Sequence, residues 1–160
     1  MRQRRSARGG SQIAELAPAL LILFIVVLFP MLDIMYLGLG YCCGWYLNHM
    51  SSRACATVQP TAADYAAACA AMNANWSASS LSGFTGSTVV SNAADPPVLP
   101  TGPASNQTNA LVTVRTQVQV HPFFTLASVP LINSLQIDGL TRPITFKYTD
   151  SVPMEETGSN

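Results

Sequence analysis

The sequence predicts an α+β protein: a long N-terminal transmembrane helix that continues into an extracytoplasmic stem, a short second helix, and a small antiparallel β-sheet. Three observations predict it. Residues 16–32 carry no charge and almost no polarity. Residues 62–72 are rich in alanine. Two later stretches, 112–120 and 144–148, alternate apolar and polar residues, the period of a half-buried strand. The chain's 160 residues hold one domain plus a membrane segment.

Residues 1–10 form a basic leader. Arg2, Arg4, Arg5 and Arg8 crowd it with no acid among them, although the chain as a whole is formally neutral. The remainder has only Arg53, Arg115, Arg142 and Lys147 against eight carboxylates. A mildly acidic body has no basic face for a nucleic acid, whereas the arginine cluster reads as a positive-inside signal that keeps the N-terminus in the cytoplasm.

Residues 11–46 are expected to form the transmembrane helix. The run from Leu16 to Leu32 rises roughly 25 Å, and the apolar stretch beyond Asp33 completes a bilayer core of about 30 Å. Tyr36, Tyr41, Trp45 and Tyr46 sit where an aromatic belt belongs. A cleaved secretory signal fits less well, because its apolar core is only about 7–15 residues long and needs a small-x-small site close behind. Ala54-Cys55-Ala56 lies too far downstream, and Tyr41 before Cys42 is too bulky for a lipoprotein site.

Two acids bracket the apolar run. Glu15 and Asp33 are eighteen residues apart, about five turns at 3.6 residues each, so an uninterrupted helix puts them on one face at opposite interfaces. They either mark the ends of the span or carry a function, since acids in a membrane segment are costly and need a partner. Pro18 is close to the helix start, where proline is tolerated; Pro30 is the expected bend. Gly38, Gly40 and Gly44 form a small-residue stripe on which another helix, of this chain's own kind or a partner's, can pack closely.

Residues 47–75 are read as an extracytoplasmic helical stem and the short helix. Gln59-Pro60 separates the two, and Thr61 with Asp64 reads as an N-cap with an acidic third position. Residues 76–110, rich in Ser, Thr, Gly, Asn and Pro, have linker composition, with at most a short strand at 88–90. Residues 111–154 are the sheet region. Val112, Val114, Thr116, Val118 and Val120 share one face of the first strand; Ile144, Phe146 and Tyr148 share one face of the second. Asp138-Gly139 supplies a turn between them. Residues 155–160 are expected to fray.

The residues with chemical potential form no catalytic set. No serine lies in a nucleophile-elbow sequence, no phosphate-cradling glycine loop is present, and the acids beyond the membrane fall at caps and turns. Cys42, Cys43, Cys55 and Cys69 lack zinc-site spacing, and His49 and His121 are far apart, so no metal or cofactor is expected. Cys55 and Cys69 flank the helix–turn–helix at Gln59-Pro60, and an oxidising compartment lets them bridge if their geometry permits. Asn75-Trp76-Ser77 and Asn106-Gln107-Thr108 match glycosylation sequons, a short and common pattern.

The run Gly10-Ser11-Gln12-Ile13-Ala14-Glu15-Leu16-Ala17-Pro18, the acid Asp33, the tail strands and Pro122-Phe123-Phe124 resemble the TadE-like family of pilin-related membrane proteins, in the tight-adherence (Flp-type) branch of type IV pilus systems. The resemblance covers residues 8–60 best and extends to 111–156. It implies cleavage by a prepilin peptidase after Gly10, leaving Ser11 as the new N-terminus and Glu15 as the fifth residue. It also implies that Glu15 pairs with the new amine of a neighbouring subunit, as a carboxylate in a dry site needs a cation. Leu16 stands where Flp major pilins carry an aromatic, and the chain is much longer than those. The expected function is therefore non-enzymatic: a minor pilin, pseudopilin or assembly component, single-pass in the inner (cytoplasmic) membrane, meeting other pilins or pilus-assembly proteins, and able to enter a surface pilus. A type II secretion pseudopilin fits less well, because Ser11 replaces the usual phenylalanine. The alternative is an unprocessed bitopic envelope protein that serves as a scaffold in a secretion or adhesion complex.

Overall fold

The structure is a computed structural model that describes residues 9–95, 111–124, 134, 136–139 and 141–155. The leader up to Arg8, residues 96–110 of the expected linker and residues 156–160 of the expected tail lie outside the described residues.

One helical rod dominates the chain. α1 (Gly9–Leu23) passes through a π turn at Phe24–Leu28 into α2 (Phe29–Ala56). The π turn directly precedes Pro30, which has no N–H to give and whose ring crowds the carbonyl four residues back. Widening the turn relieves that crowding, and the Phe29 N–H bonds the Phe24 carbonyl instead. The expected bend at Pro30 is thus absorbed as a π bulge just before it. That extra residue also shifts the helical phase by about 100°, so Glu15 and Asp33 do not share a face.

Thr57 ends the rod, and the Thr61 hydroxyl caps α3 (Ala62–Ala78) by accepting the Asp64 N–H at 3.1 Å. α3 buries Tyr65, Cys69 and Trp76, spaced four and then seven residues apart as one helical stripe demands. A short helix α4 (Ser80–Thr85) comes next, capped by Ser79 and ended by Gly86 in the left-handed conformation. Then come β1 (Ser87–Ala94), β2 (Leu111–Val120) and β3 (Ile144–Pro153), an antiparallel sheet in the order β1-β2-β3.

β2 buries Val112, Val114, Thr116, Val118 and Val120 as its alternation predicts, and β3 turns Ile144, Phe146 and Tyr148 the same way. The region expected to be a linker departs from its reading. α3 runs on through Ala78, and α4 and an eight-residue β1 occupy residues 80–94. A bulge at Val90 shifts the β1 register between Val89 and Ser91. The inward parity changes there from Ser87 and Val89 to Asn92 and Ala94. Glu155, expected to fray, donates its N–H to the Ala56 carbonyl at 3.0 Å and satisfies the last turn of α2.

The sheet lies against the upper part of α2, along a seam of small residues. An added Cβ on Gly40 would meet the Val120 methyls at 2.8 and 2.9 Å; one on Gly44 would meet the Tyr148 hydroxyl at 2.6 Å. Asn48, Ser51, Ser52, Cys55 and Ala56 continue the buried side of the helix. The stripe expected to receive another helix is therefore filled at Gly40 and Gly44 by the chain's own sheet, and only Gly38 faces open space.

This geometry predicts opposite signs at two glycines. Gly44→Ala gains helix propensity but forces a methyl into Tyr148, for a net loss of about 1–3 kcal/mol. Gly38→Ala meets nothing and gains up to about 1 kcal/mol. Denaturant unfolding of the full chain in detergent, followed by tryptophan fluorescence, reads both.

Candidate functional site

Among the described residues, the sheet lies against the rod above Asp33. Leu16, Leu20, Leu21, Ile22, Leu23, Phe24, Val26, Val27, Leu28 and Met31 are all exposed, and Glu15 at the lower end is exposed too. Gly10 and Ser11 belong to α1 by their backbone. The rise from Glu15 to Leu32 is roughly 27 Å, close to the thickness of a bilayer core. This helix is long and apolar enough to cross a membrane.

Asp33 marks the change from bare to packed helix. It is fully buried, and its Oδ1 accepts the backbone N–H of Phe124 at 2.8 Å. Oδ2 has no partner among the described residues. The segment following β2 is pinned here: Phe124 stacks on Phe29 with ring centroids 4.8 Å apart, and Phe123 packs on Tyr36 at 5.2 Å. Tyr36 also donates its hydroxyl to the Phe84 carbonyl at 2.7 Å. Tyr36 and Tyr41, expected in an aromatic belt, also make contacts with the folded body, Tyr41 while remaining exposed. Tyr41 packs edge-on to Phe146 and beside Tyr148, whose hydroxyl donates to the Tyr41 carbonyl at 3.0 Å. Trp45 and Tyr46 stay exposed, and Trp45 stacks on His49. Burial pushes the Tyr148 hydroxyl well above the usual phenol range, so it stays protonated as a donor.

Higher on the seam, polar side chains meet in the dry layer between helix and sheet. Thr116, the one polar residue on the buried face of β2, has a single proton and donates it to Asn92 Oδ1 at 2.9 Å. Asn48 then presents its amide nitrogen to Thr116 Oγ1 at 2.8 Å and to the Val114 carbonyl at 3.2 Å, while its oxygen accepts the Asp150 N–H. Asn92 donates to Ser51 and to Asn73, each at 2.9 Å. The network joins α2, α3, β1 and β2 with its members satisfied, as buried polar groups require. Sequence reasoning missed it; the available signal was Thr116 at a buried-parity position and Asn48 within an apolar helix.

Ser52, His49 and Asp150 also converge. Asp150 Oδ2 accepts from Ser52 Oγ at 2.6 Å and from His49 Nδ1 at 2.9 Å. The carboxylate sits between two donors, and the serine proton goes to the acid rather than to the imidazole. The three residues therefore tie α2 to β3. Partial burial pushes the Asp150 carboxyl up, but the hydrogen bonds from Ser52 and His49, with the His49 charge and the Ser151 N–H, hold it below the usual carboxylate range.

Cys55 and Cys69 are buried thiols with their sulfurs 3.6 Å apart. The hydrogen bond between them lowers Cys69 and pushes Cys55 up, burial adding to the latter. An open groove of about 630 Å³ between α3, α4 and β1 is lined by Asn73, Trp76, Ser82, Gly86, Ser87 and Val89, among others, with no titratable group.

Comparison of the chain with protein-family models, with curated proteins and with solved structures finds no match.

The Asp150 cluster has a pH signature. A carboxyl held low in the folded state adds stability above its unfolded pKa of about 3.9 and loses it as pH falls through the folded value. Denaturant midpoints of the wild type therefore fall as pH drops below about 4. Asp150→Asn, which cannot ionise, lowers the midpoint at neutral pH and flattens that acid dependence.

Proposed function

We propose that this chain is a non-enzymatic, membrane-anchored subunit of a pilin-like assembly, a minor pilin or assembly component of the tight-adherence type. The observation that carries the reading is the division of one rod at Asp33. Its lower part is bare and apolar; its upper part is committed to the chain's own sheet. Such a lower part needs an apolar environment. A bilayer provides one before assembly, and the helices of neighbouring subunits provide one in a filament.

The basic leader lies in the cytoplasm, the span runs from the start of α1 to about Asp33, and the sheet-bearing body stands outside. Exposed Phe84 and Phe123, close above the span, reach the headgroup layer. A prepilin peptidase cuts after Gly10 and removes all four leader arginines. The new amine at Ser11 is a cation with which a neighbouring subunit's Glu15 can pair. The resemblance of residues 8–60 to TadE-like proteins supports this order of events. The rival reading, an unprocessed scaffold docking through Gly38–Gly44, loses its docking face, because the sheet occupies Gly40 and Gly44.

Mass spectrometry of the chain from cells with and without a prepilin peptidase tests the processing step. The expected N-terminus is Ser11 with the peptidase and the intact leader without it; an intact leader in both overturns the reading. Glu15→Ala is expected to be cleaved and folded normally yet to lose at least tenfold in co-purification with partner pilins, whereas full retention contradicts the docking role.

A further inference from the structure

We infer that Cys55 and Cys69 are joined by a disulfide in the mature protein, stapling the far end of the rod to α3. The inference rests on the proposed placement of the body outside the cytoplasm, where thiols meet oxidants.

The geometry selects this pair among four cysteines. Cys55 lies one residue from the end of α2 and Cys69 midway along α3, with their sulfurs 3.6 Å apart. A disulfide needs about 2.05 Å, so closure takes roughly 1.5 Å of movement, within reach of a side-chain rotation. Cys42 and Cys43 have no such option. They sit lower on α2, Cys42 exposed and Cys43 half-buried, and Cys43 is about 18 Å along the helix from Cys55.

The surroundings accept the bond. Cys55 and Cys69 pack among Tyr65, Val112, Val114 and Met154, an apolar cluster in which a disulfide is better accommodated than two thiols. Each S–H must find an acceptor there; among the described residues, apart from Cys69, Cys55 reaches the Tyr65 carbonyl at a long 4.0 Å. The cross-link also lies beside the 57–61 turn and the Glu155–Ala56 hydrogen bond.

The chemistry balances with an extracytoplasmic protein disulfide as oxidant. One cysteine thiolate attacks the oxidant's disulfide, forms a mixed disulfide and expels one thiolate. The second cysteine attacks the first one's sulfur and expels the other. Cys55 and Cys69 lose two protons and two electrons, and the oxidant ends as a dithiol. Cys55 is fully buried and Cys69 is 3% exposed in the finished fold, so the exchange precedes the closing of α3 on α2.

The test uses the full chain from acid-quenched cells, its free thiols blocked with N-ethylmaleimide in denaturant and digested without reductant by trypsin and Asp-N. Cleavage after Arg53 and before Asp64 and Asp95 separates residues 54–63 from 64–94. The expected product is these two peptides linked, two hydrogens lighter than the separate thiol forms, with Cys42 and Cys43 carrying the blocking group. Maleimide on both Cys55 and Cys69 overturns the inference. A C-terminal alkaline phosphatase fusion, active only when exported, identifies what has failed. Free thiols with an active reporter sink the disulfide alone; free thiols with a silent reporter sink the topology and the disulfide together. Thermal unfolding is a second check. Reductant lowers the wild-type Tm by several degrees and leaves that of Cys55→Ala/Cys69→Ala unmoved, and a wild-type Tm indifferent to reductant contradicts the staple.

Discussion

The folded part of this molecule depends on how closely a sheet can approach one helix. α2 offers Gly40, Gly44, Leu47, Asn48, Ser51, Ser52, Cys55 and Ala56 to the folded body, a seam mostly of small and polar residues, with Leu47 packed in the cluster of Val118, Val120 and Tyr148. Val120 and Tyr148 occupy the space that side chains at the glycines would fill. Close approach brings hydrogen-bonding groups of helix and sheet within reach of one another, and the Asn48–Thr116–Asn92 and Ser52–Asp150 contacts result from it. Those contacts fix register in a way that apolar packing alone does not, because a slip of one residue along β2 would bury Arg115 or Gln117 in place of Thr116.

The seam stops at Asp33, and so does the protein's commitment to itself. Asp33 takes the Phe124 N–H and anchors the strand exit; among the described residues, most apolar side chains of α1 and the π turn below it are exposed. The proposed function derives from that asymmetry. On that proposal, the upper half of the rod folds with the sheet and the lower half is kept for the membrane and for neighbouring subunits. The π turn before Pro30 lets one continuous rod serve both purposes, and it rotates Glu15 away from the face that Asp33 occupies.

Much of this architecture was legible in the sequence. Alternation along β2 and β3 was legible because both strands keep one parity from end to end. The α3 cap was legible because Thr61 and Asp64 make a local hydrogen bond that depends on no distant partner. β1 was not, because the bulge at Val90 breaks its parity midway and its Ser, Thr, Asn and Ala residues look like a linker. α3 was read short because alanine content falls away before Trp76, whose burial comes from tertiary packing. The glycine stripe was recognised as a close-approach surface, but spacing along one helix cannot say whether a sheet or another helix fills it. For the same reason, spacing alone cannot show that Tyr36 and Tyr41 also contact aromatic residues of the chain's own body.

The central claim is that the rod changes environment at Asp33. Spin labels placed one at a time at Leu21, Val27, Met31, Leu39 and Trp45 measure this directly, in the full chain reconstituted in lipid nanodiscs with Cys42 and Cys43 replaced by serine. Oxygen, which concentrates in lipid, should relax the labels at Leu21, Val27 and Met31 most strongly, and a water-soluble nickel chelate should take over at Leu39 and Trp45. Oxygen dominance persisting through Trp45, or nickel access throughout, contradicts the account.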